Sequence, residues 1–273
     1  MPELPEVETV VRGLRAEVVG RRFVSVELLR GDRFRPDGQA LVAGLLHRQA
    51  VAARRLGKVF FLDLDDDLTL TGHLRMTGQF RVQDPLIERA PHTHLILGLD
   101  DGRELRWRDA RRFGWLHLGA TADSSALPEV VKLGADALAM PREAFLEALR
   151  GSRRAIKALL LAQDIVAGVG NIYADEILHR AGVNPRQASD TLSPARARKV
   201  HEAMLGILEA AIAASGSSVS QYVDVSGEAG SFQQSHRVYG RAGQRCAKCA
   251  SAIVREVIAS RGTYYCPHCQ RLR

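Results

Sequence analysis

Cys246-Ala247-Lys248-Cys249 and Cys266-Pro267-His268-Cys269 enclose sixteen residues, Ala250 to Tyr265. Two C-x2-C pairs at this separation have the spacing of a four-thiolate zinc site. Each pair fits a tight knuckle that points two thiolates at one ion. Between them, Ala252 to Tyr265 reads as a hairpin: Ile253, Val254, Val257 and Ile258 on the way out, Arg261-Gly262-Thr263 at the turn, Tyr264-Tyr265 on the return. A ribbon this short cannot bury enough apolar surface to fold unaided, so the metal supplies folding energy. Four thiolates leave no open coordination position, so one structural zinc ion is expected, held by Cys246, Cys249, Cys266 and Cys269. Two disulfides are the alternative, disfavoured in a cytosolic-looking chain with no other cysteine.

Around the cysteines the charge is lopsided. From His236 to Arg273 stand eight basic residues and one acid, Glu256, so this tail carries the whole net charge of +7. The other 235 residues hold 30 charges of each sign. A concentrated basic patch suits a polyanionic partner; a solvated, solubilising tail is the plainer reading. At 46% hydrophobic and 25% charged the composition is ordinary for a globular protein, which excludes disorder, collagen and coiled coil. No run approaches the roughly 18 apolar residues of a membrane span. Met1-Pro2-Glu3-Leu4-Pro5-Glu6 is acidic, without the basic start of a secretory signal, so a cytoplasmic location is expected.

Upstream of the tail the 273 residues allow two further domains. Residues 5–19 read as a helix, with Val7, Val10, Val11, Leu14 and Val18 at helical spacing and Gly20 at its end. From Arg22 to Leu118 short apolar runs such as Val59 to Leu64 and Leu68 to Thr71 alternate with polar turns, which predicts a β-sandwich. Asp65-Asp66-Asp67 is read as a hairpin turn rather than a metal cluster. From Pro128 to Ser215 the pattern is helical, with helices over Ala155–Gln163, Asn171–Arg180 and from the Ser193-Pro194 cap to Ala214. Gly168-Val169-Gly170-Asn171 runs into a helix N-terminus, where bare amides and the helix dipole suit a phosphate. Residues 215–235, rich in Ser and Gly, read as a mobile loop. The expected class is thus an α+β multidomain chain: an N-terminal β-sandwich with an N-terminal helix over 1–127, a helical domain with a loop over 128–235, and a zinc-ribbon β-hairpin over 236–273.

These pieces in this order resemble the formamidopyrimidine-DNA glycosylase family, bacterial repair enzymes for oxidised purines. The resemblance runs end to end. It rests on Pro2-Glu3-Leu4-Pro5-Glu6-Val7-Glu8-Thr9, Lys58 at the head of a strand, Arg111-Arg112-Phe113-Gly114, Gly168-Val169-Gly170-Asn171-Ile172-Tyr173-Ala174, Val238-Tyr239-Gly240-Arg241 and the four cysteines. It implies that the helical domain is a helix–two-turns–helix DNA-binding domain and that the partner is double-stranded DNA containing oxidised bases or abasic sites, held in the cleft between domains. Nothing calls for a membrane or an oligomer, so a monomer is expected.

The resemblance also implies roles. With Met1 removed, Pro2 presents a secondary amine. An α-amino group titrates near about 8 and a lysine near about 10.4, so the terminus is the better nucleophile at neutral pH. Attack on the sugar C1′ would displace the damaged base and give an iminium, an electron sink that allows the 3′ and then the 5′ phosphate to leave. Glu3 is implied as the proton donor, Lys58 as a group that donates a proton or contacts the adjacent phosphate, and Arg261 as the clamp on the flanking phosphates. Glu6 and Glu8 read as carboxylates completing a helix N-terminus. Met76, Arg111 and Phe113 match the residues that fill the gap left by the flipped base, with Arg111 reading the orphaned cytosine. His92, Arg153, Lys157 and Asn171 match DNA-backbone positions. Residues 217–231 would cover the flipped base.

Three positions depart from the family pattern: Arg75 stands where a small residue is usual, Ala110 where proline is common, and Arg153 where lysine is usual. Two rivals stay open. An endonuclease VIII-type glycosylase would prefer oxidised pyrimidines; Leu4 and the Met76, Arg111, Phe113 set argue against it. A non-enzymatic zinc-ribbon DNA-binding protein would need no free N-terminus.

Overall fold

In a computed structural model, which describes every residue except Arg33, Ser220 and Arg273, the first helix α1 spans Leu4–Glu17. Ser220 of the expected base-covering loop and Arg273 of the basic tail therefore lie outside the described residues. Val7, Val10, Val11 and Leu14 recur every three or four residues and are all buried, which fixes the inward face of α1. Glu3 caps the helix, and its N–H donates to the Glu6 carboxylate at 2.8 Å.

Two sheets follow. One has the order β1 (Phe23–Leu28), β7 (Thr93–Leu99), β8 (Glu104–Asp109), β6 (Gly78–Gln83). The other runs β2 (Phe34–Arg35), β9 (Trp115–Ala120), β5 (Leu68–His73), β4 (Val59–Leu64), β3 (Ala50–Leu56). Every pairing is antiparallel save β2 with β9. Between the sheets Phe60 meets Phe80 edge-on with centroids 5.2 Å apart, and Phe80 packs on Trp107 at 4.8 Å. The sandwich expected from the strand pattern is present. The triple aspartate is the three-residue β4–β5 turn, with Asp66 and Asp67 both left-handed at φ 54° and 55°, a conformation aspartate tolerates better than most residues.

One helix escaped the strand reading of Arg22 to Leu118. α2 (Gly38–Leu45) is capped by Asp37, whose carboxylate accepts from the Gln39 and Ala40 amides at 2.9 and 3.1 Å. Only Leu41 and Leu45 of it are buried, too few to give a helical period.

The chain divides into two compact units, Met1–Val131 with Ala214–Ser231, and Lys132–Ala213 with Phe232–Arg273. The second contains α3 (Arg142–Arg150), α4 (Ile156–Ala162), α5 (Asn171–Ala181) and α6 (Pro194–Ala213). It also holds the short parallel pair β10 (Ala135–Asp136) and β11 (Val166–Ala167), and the ribbon strands β12 (Val254–Ile258) and β13 (Arg261–Tyr265). Gly182 ends α5 in the left-handed conformation at φ 67°.

Two local expectations are corrected. Residues 215–235 are not simply a mobile loop. Tyr222 and Val225 are buried in the sandwich core, and the Val82 N–H donates to Val225 O at 3.0 Å. The ribbon turn is Ala259-Ser260, both left-handed, not Arg261-Gly262-Thr263. The register pairs Ile258 with Arg261 and Val257 with Gly262, so Gly262 is a strand residue with the Arg255 guanidinium above it.

Candidate nucleic-acid interface and metal centre

At the start of α1 the helix cap buries Pro2, Glu3 and Glu6. Lys58, just ahead of β4, is buried too. Burial pushes its pKa down from the ordinary lysine value, against the upward pull of the Glu3 and Glu6 carboxylates. His73, at the end of β5, accepts the Arg75 N–H at Nδ1 over 2.8 Å. Burial, with Arg75 and Lys58 nearby, lowers its pKa to about 3, so the ring is neutral at physiological pH. A small pocket is lined by Met1, Pro2, Met76, Gln79, Gln221 and Tyr222, among others. Pro2 and Met76, singled out separately in the sequence, are thus brought to one place.

The Glu6 carboxylate does more than cap a helix. Its Oε2 takes the Glu3 N–H and its Oε1 takes the Ser217 N–H at 2.7 Å, while the Tyr222 hydroxyl donates to Glu6 O at 3.2 Å. No local signal announces Gln221 or Tyr222. Met76 and Phe113 are apolar side chains left 39% and 49% exposed, and the Arg111 guanidinium lies 4.7 Å from the Phe113 ring centroid. His92 is exposed on its own turn of the same unit.

In the second unit, Asn171 opens α5. Its Nδ2 donates to Gly262 O at 2.9 Å, and its Oδ1 is buried with no hydrogen-bond partner among the described residues. The Gly168 amide is taken by Gln163 Oε1 at 2.9 Å, so it does not stand free for a phosphate. Arg261 stays exposed at the head of β13. Arg153 is almost wholly in solvent, its side chain 96% exposed and 3.9 Å from Asp190.

Lys157, expected at the DNA backbone, is placed otherwise. It is 0% exposed, and its ammonium donates to Asp175 Oδ1 and Thr263 Oγ1, both at 2.7 Å. The phase of α4 turns it inward, where it props the ribbon; Asp175 Oδ2 completes the tie by accepting the Tyr264 N–H at 2.8 Å. The neighbouring Glu176 was not singled out. Its carboxylate accepts the N–H groups of Arg237, Val238 and Tyr239, each at 2.9 Å, and so holds the Val238-Tyr239-Gly240-Arg241 stretch. Two adjacent acids on a mostly apolar helix were the available signal.

The four cysteines converge. Their sulfurs lie within 4.8 Å of one another, and none is in a disulfide. Cys246 to Cys269 is 3.9 Å and Cys249 to Cys266 3.4 Å. A tetrahedral ion with Zn–S near about 2.3 Å needs sulfurs about 3.8 Å apart. The donor set therefore fits one zinc ion, in a closed structural site.

Three family models cover most of the chain: the formamidopyrimidine-DNA glycosylase N-terminal domain over residues 1–116, its H2TH domain over 133–223, and a zinc finger found in FPG and IleRS over 243–272. A formamidopyrimidine-DNA glycosylase of Geobacillus kaustophilus is 41% identical over 99% of this chain and 100% of its own. The chain belongs to the formamidopyrimidine-DNA glycosylase family. Among solved members of that family, the Thermus thermophilus protein superposes with a TM-score of 0.89 at 38% identity, covering all of both chains. The Lactococcus lactis Fpg in complex with abasic-site DNA gives 0.92 at 34%, covering 98% of this chain and 99% of that one. Membership accounts for the α+β layout and the zinc ribbon. No helix among the described residues is long and apolar enough to cross a membrane.

Proposed function

We propose that this chain is a bifunctional DNA glycosylase and abasic-site lyase that removes oxidised purines (8-oxoguanine and formamidopyrimidines) from double-stranded DNA and cleaves the strand by β,δ-elimination. The observation that carries the reading is that buried Lys58, its pKa lowered by burial, feels the carboxylate of Glu3, which is buried beside the pocket-lining Pro2.

With Met1 removed, the Pro2 nitrogen attacks C1′ and the base leaves with the glycosidic electron pair. Glu3 gives a proton to the sugar ring oxygen as the ring opens, and the nitrogen lone pair closes the iminium. The iminium acidifies the C2′ proton, so the 3′ phosphate leaves, and a second elimination releases the 5′ phosphate. Lys58, more easily deprotonated than an ordinary lysine, moves a proton in these steps. Arg261 clamps a flanking phosphate. Met76, Arg111 and Phe113 fill the gap left by the flipped base. His92, Arg153 and Asn171 serve the DNA backbone, and Lys157 serves it indirectly by seating the ribbon. Zinc, held by the four cysteines, supplies folding energy to the ribbon and takes no part in the bond changes. The protein would act as a monomer in the cytoplasm, at the nucleoid.

Borohydride trapping tests this. The chain should become covalently joined to an 8-oxoguanine:C duplex, and Pro2→Gly should abolish the adduct. An unmodified chain that binds the duplex without trapping would leave the DNA-binding rival standing. Faster excision of thymine glycol than of 8-oxoguanine would favour the endonuclease VIII type.

A further inference from the structure

Asp109 closes β8 and is 1% exposed. Its carboxylate is shared between two turns: Oδ1 accepts the Thr77 hydroxyl, and Oδ2 accepts the Gly114 N–H at 2.7 Å. The Thr77 oxygen in turn accepts the Arg111 N–H at 3.0 Å. The Asp109 N–H donates to His92 O at 3.0 Å, and its carbonyl accepts the Arg112 N–H at 3.2 Å. Three turns, carrying Met76, His92 and the Arg111–Phe113 pair, therefore end on one residue.

Each of these turns holds a non-glycine residue in the left-handed region: Arg75 at φ 52°, His92 at 69° and Arg112 at 54°. Such conformations persist where the surroundings over-determine them. The packing leaves no slack. A Cβ on Gly114 would lie 2.8 Å from the Trp107 ring and 3.0 Å from Asp109 Oδ2, and one on Gly78 would lie 2.5 Å from Leu74 O. The turns are pressed onto the carboxylate, with Trp107 beneath them.

We infer that Asp109, acting through Thr77, is a positioning residue that sets Met76, Arg111 and Phe113 in one arrangement before the duplex arrives. The inference rests on the glycosylase reading above and names what prepares its probing side chains. Thr77 shares the pocket wall with Pro2, but its hydroxyl is committed to Asp109, and neither residue takes part in the bond changes proposed above. They lower the ordering cost of inserting three side chains into a stacked helix. Their loss should therefore appear where a duplex gap must be filled and an opposite base read, and not where no duplex exists.

The test uses Thr77→Val, which removes the hydroxyl and keeps the shape, Thr77→Ser, which keeps the hydroxyl, and Asp109→Asn. Each is assayed on 8-oxoguanine:C and 8-oxoguanine:A duplexes and on a single-stranded oligonucleotide with an abasic site, with thermal melting as a check on folding. Thr77→Val and Asp109→Asn should excise 8-oxoguanine opposite C at least about tenfold more slowly and lose preference for C over A. Strand cleavage of the single-stranded oligonucleotide should stay within about twofold, and Thr77→Ser should restore duplex excision. Unchanged duplex rates and opposite-base preference in a folded Thr77→Val protein would overturn the inference, as would a parallel fall on duplex and single strand. If Asp109→Asn does not fold, Thr77→Val decides alone. An unmodified chain that cleaves neither substrate would remove the glycosylase reading, and this inference with it.

Discussion

Ser217 and Glu6 are 211 residues apart in the chain, yet the Ser217 N–H donates to Glu6 Oε1 at 2.7 Å. The other oxygen of the same buried carboxylate holds the Glu3 N–H. One side chain thus connects the cap of α1, next to Pro2, to the segment 214–231 that returns to the first unit. The segment that the family resemblance expects to cover the flipped base and the proposed nucleophile share an anchor.

Replacing that anchor should be costly. Glu6→Gln presents an amide N–H2 to one of two backbone donors, so at least one bond is lost. Hydrogen bonds to a buried charged group contribute about 1.5–3 kcal/mol each. We expect a loss of stability of that order in urea unfolding, together with easier proteolysis within 214–231. A variant as stable and as protease-resistant as the parent would show that Glu6 does not hold the segment.

Lys157 and Arg153 make a matched contrast four residues apart. Lys157 is sealed against Asp175, and breaking a buried pair by removing one partner costs about 3–5 kcal/mol. Lys157→Met should lower the melting temperature sharply. Arg153, in solvent, should tolerate Ala within about 0.5 kcal/mol. Its loss should instead weaken DNA binding uniformly across sequences and reduce the salt dependence by about one counterion. Reversed outcomes would return Lys157 to the DNA backbone.

Acid should strain the first unit through His73. The unfolded chain takes up this proton near about 6.5, whereas the folded ring resists it until about 3. Above pH 6.5 the group contributes no pH dependence. Below it the unfolded state binds the extra proton, so stability falls with pH until about 3. At pH 5 the deficit is about 1–2 kcal/mol. His73→Asn keeps an acceptor for the Arg75 N–H and should flatten unfolding free energy between pH 7.5 and 5; an unaltered pH profile would assign the acid sensitivity elsewhere.

Removing the metal should unfold the ribbon. Zinc binding to such sites is worth about 10–16 kcal/mol at neutral pH, and here the ribbon core contains little beyond Val238, Ile253 and the cysteines themselves. Chelation, or Cys249→Ser, should disorder residues 243–270, seen as fast amide exchange, and weaken duplex binding. Retained protection after complete zinc removal would contradict a metal-built fold.

Elements whose information is local were legible from residue order. The cysteine spacing, the buried stripe of α1, the aspartate turn between β4 and β5 and the caps of α5 and α6 each depend on neighbours a few positions away. The pocket-lining pair Pro2 and Met76, and the exposed Arg111 and Phe113, were legible through resemblance, which carries long-range information that one chain's periodicity lacks. α2 was not legible, because two buried leucines make no period. Gly262 suggested the ribbon turn, but the register moved it to Ala259-Ser260.

Tertiary packing alone decided which charged groups lie inside. Nothing next to Lys157 in the chain says that its ammonium will meet Asp175 and Thr263. Nothing next to Glu6 says that a segment two hundred residues on will bring it an N–H, and nothing around Asp109 says that three turns will converge there. A helix or a hairpin is stabilised chiefly by residues within one or two turns, so its signature is written contiguously. A buried charge is tolerable only where distant segments deliver partners to it, and that delivery exists only once the chain has folded.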